Sequence, residues 1–206
     1  MTFTGFPLEA VEFYEGLEAD NSKAYWQAHR DVYERAVLAP FHELADELEA
    51  EFGGARFFRP NRDVRFSADK SPYKTQAGAM LDGGGYVQLS SAGLGVGAGY
   101  YMIEPDRLAA LRAAIADDRT GPQVEAIVAD LRRAGAEVRA RDELRTAPRG
   151  YPKDHPRIEL LRYKGIAMMK TWPVGAWLGT RKAKDRVVTT LRAGVPLNQW
   201  LLRNVG

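Results

Sequence analysis

The segment from residue 61 to 76, NRDVRFSADKSPYKTQ, concentrates side chains that can bind an anion. Its cationic and phenolic residues stand next to turn-forming Ser, Asp and Pro; they are Arg62, Arg65, Lys70, Tyr73 and Lys74. Guanidinium, ammonium and phenol groups beside a turn can direct several hydrogen-bond donors at one phosphate or carboxylate. The sequence therefore predicts a small-molecule anion-binding loop.

Two acids in the same segment support a different interpretation. Asp63 and Asp69 can form ion pairs with the same cations, and the loop would then be a structural network that binds nothing. If the protein is an enzyme, either acid is the candidate base. The spacing forces neither role, so whether the protein is an enzyme and which residues are catalytic are left open.

A second charged loop, PRGYPKDHP at 148–156, has related chemistry. Its candidate ligand-binding residues are Arg149, Tyr151, Lys153 and His155. We expect these side chains to lie across one pocket from the first loop, with His155 as the candidate acid of any reaction.

The sequence predicts no metal site and no cofactor. It has no cysteine, and its three histidines are far apart, with no second ligand at metal-binding spacing. The string GLGVGA at 93–98 meets the loose dinucleotide-binding pattern, but no helix begins inside it, as that motif requires.

Charge is unevenly distributed, although the 206 residues carry a formal net charge of only +2. Residues 8–51 hold twelve acids and three cations, whereas residues 139–170 hold nine cations and four acids. The basic C-terminal half supports an alternative function as a nucleic-acid-binding module, with stacking surfaces at Tyr151, Tyr163, Trp172 and Trp177. The low net charge and the lack of a nucleic-acid-binding motif weigh against it.

A third function is an interaction protein whose acidic helices contact a partner, with no pocket chemistry. The N-terminus has no basic and apolar leader, and the charge-free stretch from Gly83 to Ile103 contains seven glycines. We therefore expect a cytoplasmic protein with no membrane partner. The oligomeric state is left open.

Secondary structure is predicted in blocks. Three helices at 8–20, 21–39 and 41–52 precede strands at 55–59, 61–66, 76–81, 86–91 and 93–103. Two helices between 105 and 135, a polar connection at 136–154 and a short helix at 156–163 follow. The chain ends with a strand at 164–170 and helices at 180–193 and 196–204. This order predicts an α+β fold: one domain over 1–206, with a largely antiparallel sheet between helical blocks.

Glycine occupies every second position from Gly93 to Gly99, which leaves one face of that strand without side chains. Such a face allows close approach by a ring, a backbone or a ligand. We expect one of the protein's own Trp or Phe rings to cover it.

Four motifs carry a family resemblance. In chain order they are DNSKAYWQAHRDVY, RDVRFSADKSPYKT, GAGYYMIEPDRLAALRAAI and APRGYPKDHPRIELLRYKG. Together they resemble the conserved hypothetical bacterial and fungal proteins of the domain of unknown function 2461 family, over nearly the whole chain. The chain departs from the family pattern at Asp20-Asn21 and at His29. The resemblance implies a single α+β domain of this length and no particular reaction, and its signature falls on both charged loops.

Overall fold

The computed structural model describes residues 2–65 and 67–206. Its contacts divide the chain into two compact units. Unit 1 contains the residues up to Val96 together with Thr171–Thr189, and unit 2 contains Gly97–Lys170 and Thr190–Gly206. The prediction that residues 1–206 form one domain stays a prediction.

An antiparallel sheet confirms the predicted α+β class. In the described residues it has six strands in the order β1-β2-β3-β4-β6-β5. Their bounds are β1 Ala55–Phe57, β2 Gln76–Leu81, β3 Gly85–Ser90, β4 Gly93–Tyr100, β5 Glu137–Arg139 and β6 Ile166–Trp172. Sequence patterns missed β5, which lies in the predicted polar connection, because a three-residue strand is too short for a periodic signal.

The predicted strand at 61–66 is wrong for its described residues. Only Asn61 forms a bridge there, to Tyr73, and Arg62–Arg65 lie outside any strand. Asp63 accepts a hydrogen bond from the Arg65 backbone N–H, a local turn that competes with strand pairing. Phe66, the last residue of the predicted strand, lies outside the described residues.

Unit 1 begins with helices α1 (Leu8–Ala19), α2 (Lys23–Ala28), α3 (Arg30–Val32), a π-helical segment at Tyr33–Leu38, and α4 (Ala39–Phe52). We expected a helix to end before Pro40, but the chain stays helical from Arg30 to Phe52. Pro40 stands at the first turn of α4, directly after the π-helical segment. Proline has no N–H to donate to the preceding turn, and the helix accommodates this loss because its hydrogen-bond register changes there.

One face of the unit 1 sheet is buried and the other is half exposed. Ala77 and Ala79 on β2 and Val87 and Leu89 on β3 are buried, and α1 packs along β3. The alternate residues, including Gln76, Met80, Tyr86, Gln88 and Ser90, are half exposed. Because strand side chains alternate between faces, unit 1 has an apolar face towards its helices and a second, polar face.

Unit 2 is built around helices α5 (Pro105–Ala116), α6 (Gly121–Arg133) and α7 (Ile158–Arg162). Its core includes Leu111, Ile115, Val124, Val128, Leu160, Leu161, Trp200 and Leu201. The indole Nε1 of buried Trp200 donates to the Thr120 carbonyl oxygen at 3.0 Å, so the largest core side chain is hydrogen-bonded.

Helix α8 runs from Lys182 to Asn204 without a break at Pro196. The prediction of two helices, the second starting at Pro196, is therefore wrong. Proline removes one hydrogen bond from a helix interior. Leu197, Trp200 and Leu201 are fully buried just after it, and their packing maintains the helix. No helix among the residues described is both long and apolar enough to cross a bilayer.

The glycine-rich strand β4 is approached by backbone and by an amide side chain. A Cβ on Gly95 would lie 2.8 Å from Cγ of Gln88, and one on Gly97 would lie 3.0 Å from the Met168 carbonyl oxygen. A Cβ on Gly93 would overlap the Trp172 carbonyl oxygen. The expectation of a Trp or Phe ring over this face is wrong, because the neighbouring strands themselves fill the space.

Candidate functional site

The first charged loop closes on itself by backbone hydrogen bonds. The Arg62 N–H donates to the Pro72 carbonyl oxygen and the Lys74 N–H donates to the Pro60 carbonyl oxygen, each at 2.8 Å. Together with the Asn61–Tyr73 bridge, these bonds hold the ends of the loop side by side. Arg62 and Lys74, twelve positions apart in sequence, are therefore brought to the same place in unit 1.

Asn21 attaches this loop to the first helices. Its Nδ2 donates to the Tyr73 carbonyl oxygen at 3.1 Å, and its Oδ1 accepts from the Tyr73 N–H at 3.0 Å. The Trp26 ring stacks on the Tyr73 ring, with centroids 4.4 Å apart and planes 10° apart. Ser22 caps α2 by accepting from the Tyr25 N–H, and so orients the helix that carries Trp26. Sequence analysis did not assign Asn21 this function.

Both acids of the loop pair with its cations. Arg62 bonds Asp69, and the Arg65 guanidinium lies 2.7 Å from an Asp63 carboxylate oxygen. Hydrogen bonds from Ser71 and Arg62 hold the pKa of Asp69 well below its usual range, and Arg65 lowers the pKa of Asp63. Lys70 Nζ donates to the Val64 carbonyl oxygen at 3.0 Å. These contacts match the structural interpretation, and they make both candidate bases weak bases at neutral pH.

A cleft of about 550 Å³ lies beside this network. It is lined by Arg62, Asp63, Tyr73, Lys74, Thr75 and Gln76. Three of the predicted ligand-binding residues are therefore in the lining, whereas Arg65 and Lys70 are not. Sequence reasoning missed Thr75 and Gln76 as lining residues, because a hydroxyl and an amide next to a strand carry no distinctive signal.

Lys74 is the cleft cation with the fewest partners. Its Nζ donates to the Arg59 carbonyl oxygen at 2.8 Å and lies 5.3 Å from the centroid of the Phe58 ring. No carboxylate pairs with it in the described residues. Burial, and secondarily the positive charge of Arg59, lower the pKa of Lys74. An ammonium group has three N–H donors, so Lys74 retains donors for a ligand.

The second charged loop belongs to unit 2 and is differently built. Arg149 and Lys153 are exposed, and within the described chain neither forms an ion pair or hydrogen bond through its side chain. Tyr151 packs against the unit 2 core. His155 Nδ1 accepts from the Arg157 N–H at 3.0 Å, next to the start of α7. The prediction that these residues face the first loop across one pocket stays a prediction.

Arg157 directly follows this loop, and sequence analysis did not single it out. Its side chain is only 6% exposed. Nε donates to the Ile115 carbonyl oxygen at 2.6 Å and Nη2 to the Ala116 carbonyl oxygen at 3.0 Å. Arg157 therefore satisfies the last carbonyls of α5, which have no partner within the helix. Arg157 follows several other charged residues in the sequence, so its position did not distinguish it as a residue that stabilises the fold.

The aromatic residues proposed for nucleic-acid stacking differ in exposure. Tyr163 is 8% exposed, and its hydroxyl donates to Glu159 Oε1 at 3.2 Å. Its assignment as a stacking surface is wrong, because its ring packs in the unit 2 core. In unit 1, the Arg186 guanidinium lies over the rings of Trp172 and Trp177, at 4.4 and 3.9 Å from their centroids. A nucleic-acid interface on the C-terminal half stays a prediction without Tyr163.

The cleft offers hydrogen-bond donors, with one carboxylate, from Asp63, in its lining. Within residues 2–65 and 67–206, no three His, Asp or Glu side chains lie together as a metal-binding group. The arrangement of two cations, a hydroxyl and an amide around one space is suited to binding an anion.

These features define an α+β protein with a cationic cleft beside an ion-paired loop. The family model described as Conserved hypothetical protein (DUF2461) matches residues 9–200 of 206, and the chain belongs to this family. No curated protein and no solved structure matches the chain. The family description specifies no reaction.

Proposed function

We propose that the protein binds a small anion, a phosphate or a carboxylate, in the cleft lined by Arg62, Lys74 and Thr75. The observation that carries this proposal is the Lys74 ammonium group, which is partly buried at the cleft and has no carboxylate partner in the described part of the chain. A partly desolvated charge without a counterion is less stable than one in water, and a bound anion would supply that counterion.

Local charge supports the same conclusion. Between positions 59 and 74 the chain carries five Lys/Arg and two Asp. Both acids are already paired, Asp69 with Arg62 and Asp63 with Arg65. The positive charge of Arg59 disfavours the charged form of Lys74. An anion bound in the cleft would offset this repulsion by attracting the Lys74 ammonium group.

Binding is a better-supported function than catalysis. The candidate bases Asp63 and Asp69 have pKa values lowered by their partners, so neither is a strong proton acceptor near neutral pH. The candidate acid His155 belongs to unit 2, where its Nδ1 is engaged with the Arg157 backbone. We therefore assign no catalytic residue.

Isothermal titration at low ionic strength tests the proposal, with inorganic phosphate, sulfate and succinate as probes. The test variant is Lys74→Met, and Lys70→Met is the matched control because it removes an equal charge from the same loop but not from the cleft lining. A charge-assisted hydrogen bond contributes about 1.5–3 kcal/mol, so Lys74→Met should weaken binding about tenfold or more. Lys70→Met should retain binding within about twofold.

Two outcomes contradict the proposal. In the first, the wild-type protein gives no binding heat with any of the three anions. In the second, Lys70→Met and Lys74→Met weaken binding equally, which would mean that the anions respond to the general positive charge of the loop. Thermal unfolding of both variants shows whether either change has damaged the fold.

A further inference from the structure

The polar face of the unit 1 sheet begins at the cleft. Gln76, the first residue of β2, lines the cleft. In the register of β2 and β3, Gly78 is opposite Gln88 and Met80 is opposite Tyr86. Opposite residues point to the same face, so Gln76, Tyr86 and Gln88 share the half-exposed side of the sheet.

These three side chains form a hydrogen-bonded row. Gln76 Nε2 donates to the Tyr86 hydroxyl oxygen at 3.2 Å, and the Tyr86 hydroxyl donates to Gln88 Oε1 at 3.0 Å. Burial raises the pKa of Tyr86, so its phenol stays protonated at neutral pH. Each group fixes the orientation of the next, and the row is thereby held in place before any ligand binds.

Glycines allow the row to lie flat on the sheet. A Cβ on Gly78 would come within 2.8 Å of the Tyr86 hydroxyl oxygen, and a Cβ on Gly95 would come equally close to Gln88. Any other residue at these positions would displace the Tyr86 and Gln88 side chains. The Phe58 ring, 38% exposed, lies 6.2 Å from the Tyr86 ring and adds an apolar surface beside the row.

The row keeps polar atoms unused. Within the described part of the chain, Gln76 Oε1 and Gln88 Nε2 have no hydrogen-bond partner in the protein. They offer one acceptor and one donor on either side of the Tyr86 hydroxyl. Ligand hydroxyl groups both donate and accept, so they can donate to Gln76 Oε1 and accept from Gln88 Nε2, whereas an apolar ligand would leave both atoms unpaired.

We propose that the anion bound in the cleft is carried by a hydroxyl-rich body, such as a sugar, which lies on the polar sheet face against Tyr86 and Gln88. This proposal rests on the proposed function, since Lys74 and Arg62 hold the anionic group. In the register of the sheet Gln76 is opposite Ser90, four positions from Tyr86, so the long Tyr86 side chain extends along the sheet towards the cleft. Phe58 and Tyr86 supply the ring surfaces on which the C–H face of a sugar packs.

Titration with three probes tests the inference: inorganic phosphate, glucose 6-phosphate, and hexyl phosphate, which has the same anionic group on a body without hydroxyls. The test variants are Tyr86→Phe, which removes only the hydroxyl, and Gln88→Leu. The matched control is Tyr101→Phe, the same change at an exposed tyrosine in unit 2. We expect glucose 6-phosphate to bind at least about tenfold more tightly than the other two probes. Tyr86→Phe should weaken the binding of glucose 6-phosphate about fivefold and leave the affinity for inorganic phosphate unchanged.

The outcomes separate the two proposals. If phosphate binds but glucose 6-phosphate and hexyl phosphate bind equally, the sugar inference is overturned and the anion site stands. The sugar inference is likewise overturned if Tyr86→Phe and Gln88→Leu leave glucose 6-phosphate affinity unchanged. If none of the probes binds the wild-type protein, the anion site itself is overturned. A Tyr101→Phe variant that loses as much affinity as Tyr86→Phe also overturns the sugar inference.

Discussion

The two charged loops have similar compositions and different structures. The loop at 61–74 pairs its acids with its cations and has a cleft beside it, lined by Arg62 and Lys74. The loop at 148–156 leaves Arg149 and Lys153 exposed, and Arg157, directly after it, holds the end of α5.

The difference shows that a dense set of charges does not by itself make a binding site. An exposed cation such as Lys153 is well solvated, and bulk water competes with any ligand for it. Lys74 is partly buried against Phe58, so the same charge gains more from an anion. The first loop is therefore expected to control ligand affinity and the second to control stability.

The largest expected effect is a loss of stability, and it distinguishes a residue that stabilises the fold from one that binds the ligand. Arg157→Met should lower the free energy of unfolding by about 3 kcal/mol, because it leaves the buried carbonyl of Ile115 and the partly buried carbonyl of Ala116 without this donor. Phosphate affinity, measured by titration well below the unfolding temperature, should stay the same. Urea denaturation measures the loss of stability.

The exposed neighbours of Arg157 provide the control. Arg149→Ala and Lys153→Ala should each change the free energy of unfolding by less than about 0.5 kcal/mol, as exposed side chains usually do. A loss of phosphate affinity in either variant would contradict the assignment of this loop to stability and would favour the pocket predicted from both loops.

A smaller effect is expected where the first loop meets the helices. Asn21→Ala removes both hydrogen bonds to the Tyr73 backbone and should reduce stability by about 2 kcal/mol. It should also weaken phosphate binding, because Tyr73 lines the cleft. Ser22→Ala is the control, since it loses the cap of α2 at about 1 kcal/mol but no contact with Tyr73. Unchanged affinity in Asn21→Ala would show that the cleft does not need this attachment.

The pH dependence of sulfate binding distinguishes Lys74 from an ordinary lysine. A lysine is charged below its pKa, and burial lowers that of Lys74 from the usual 10.5. Sulfate does not titrate in this range, so its affinity should fall about tenfold as pH rises through a midpoint below 10.5. Titrations from pH 7 to 10 measure it. The decline should be absent in Lys74→Met and kept in Lys70→Met; a decline kept in Lys74→Met would assign it to another group.

Much of the fold could be predicted from local patterns. The blocks of helical and strand periodicity gave the α+β class and the antiparallel sheet. The wrong predictions of helix ends and of a strand occur where contacts in the folded protein outweigh the local sequence preference. Pro40 and Pro196 both lie within continuous helices, and the packing of Leu197 and Trp200 maintains the second of these. The strand predicted at 61–66 is instead a loop that hydrogen-bonds to itself.

The candidate site was predictable only in its residue types. Arg62, Tyr73 and Lys74 stand out as donors beside turns, and the cleft contains all three. The Tyr86–Gln88 row follows from strand register, which composition does not specify. The contact between Asn21 and Tyr73 joins positions 52 residues apart, and no single-sequence pattern encodes it.

The smallest expected effect concerns Arg65, a predicted ligand-binding residue that does not line the cleft. Its guanidinium is highly exposed and pairs with Asp63, and exposed ion pairs contribute little to stability. Arg65→Ala should therefore shift the thermal midpoint by no more than about one degree and leave phosphate affinity within about twofold. Because Arg62 and Arg65 are three positions apart in one loop, Arg62→Ala measured beside it tests whether position in the cleft matters more than charge. Equal losses of affinity in the two variants would show that the whole loop, and not its cleft, attracts the anion.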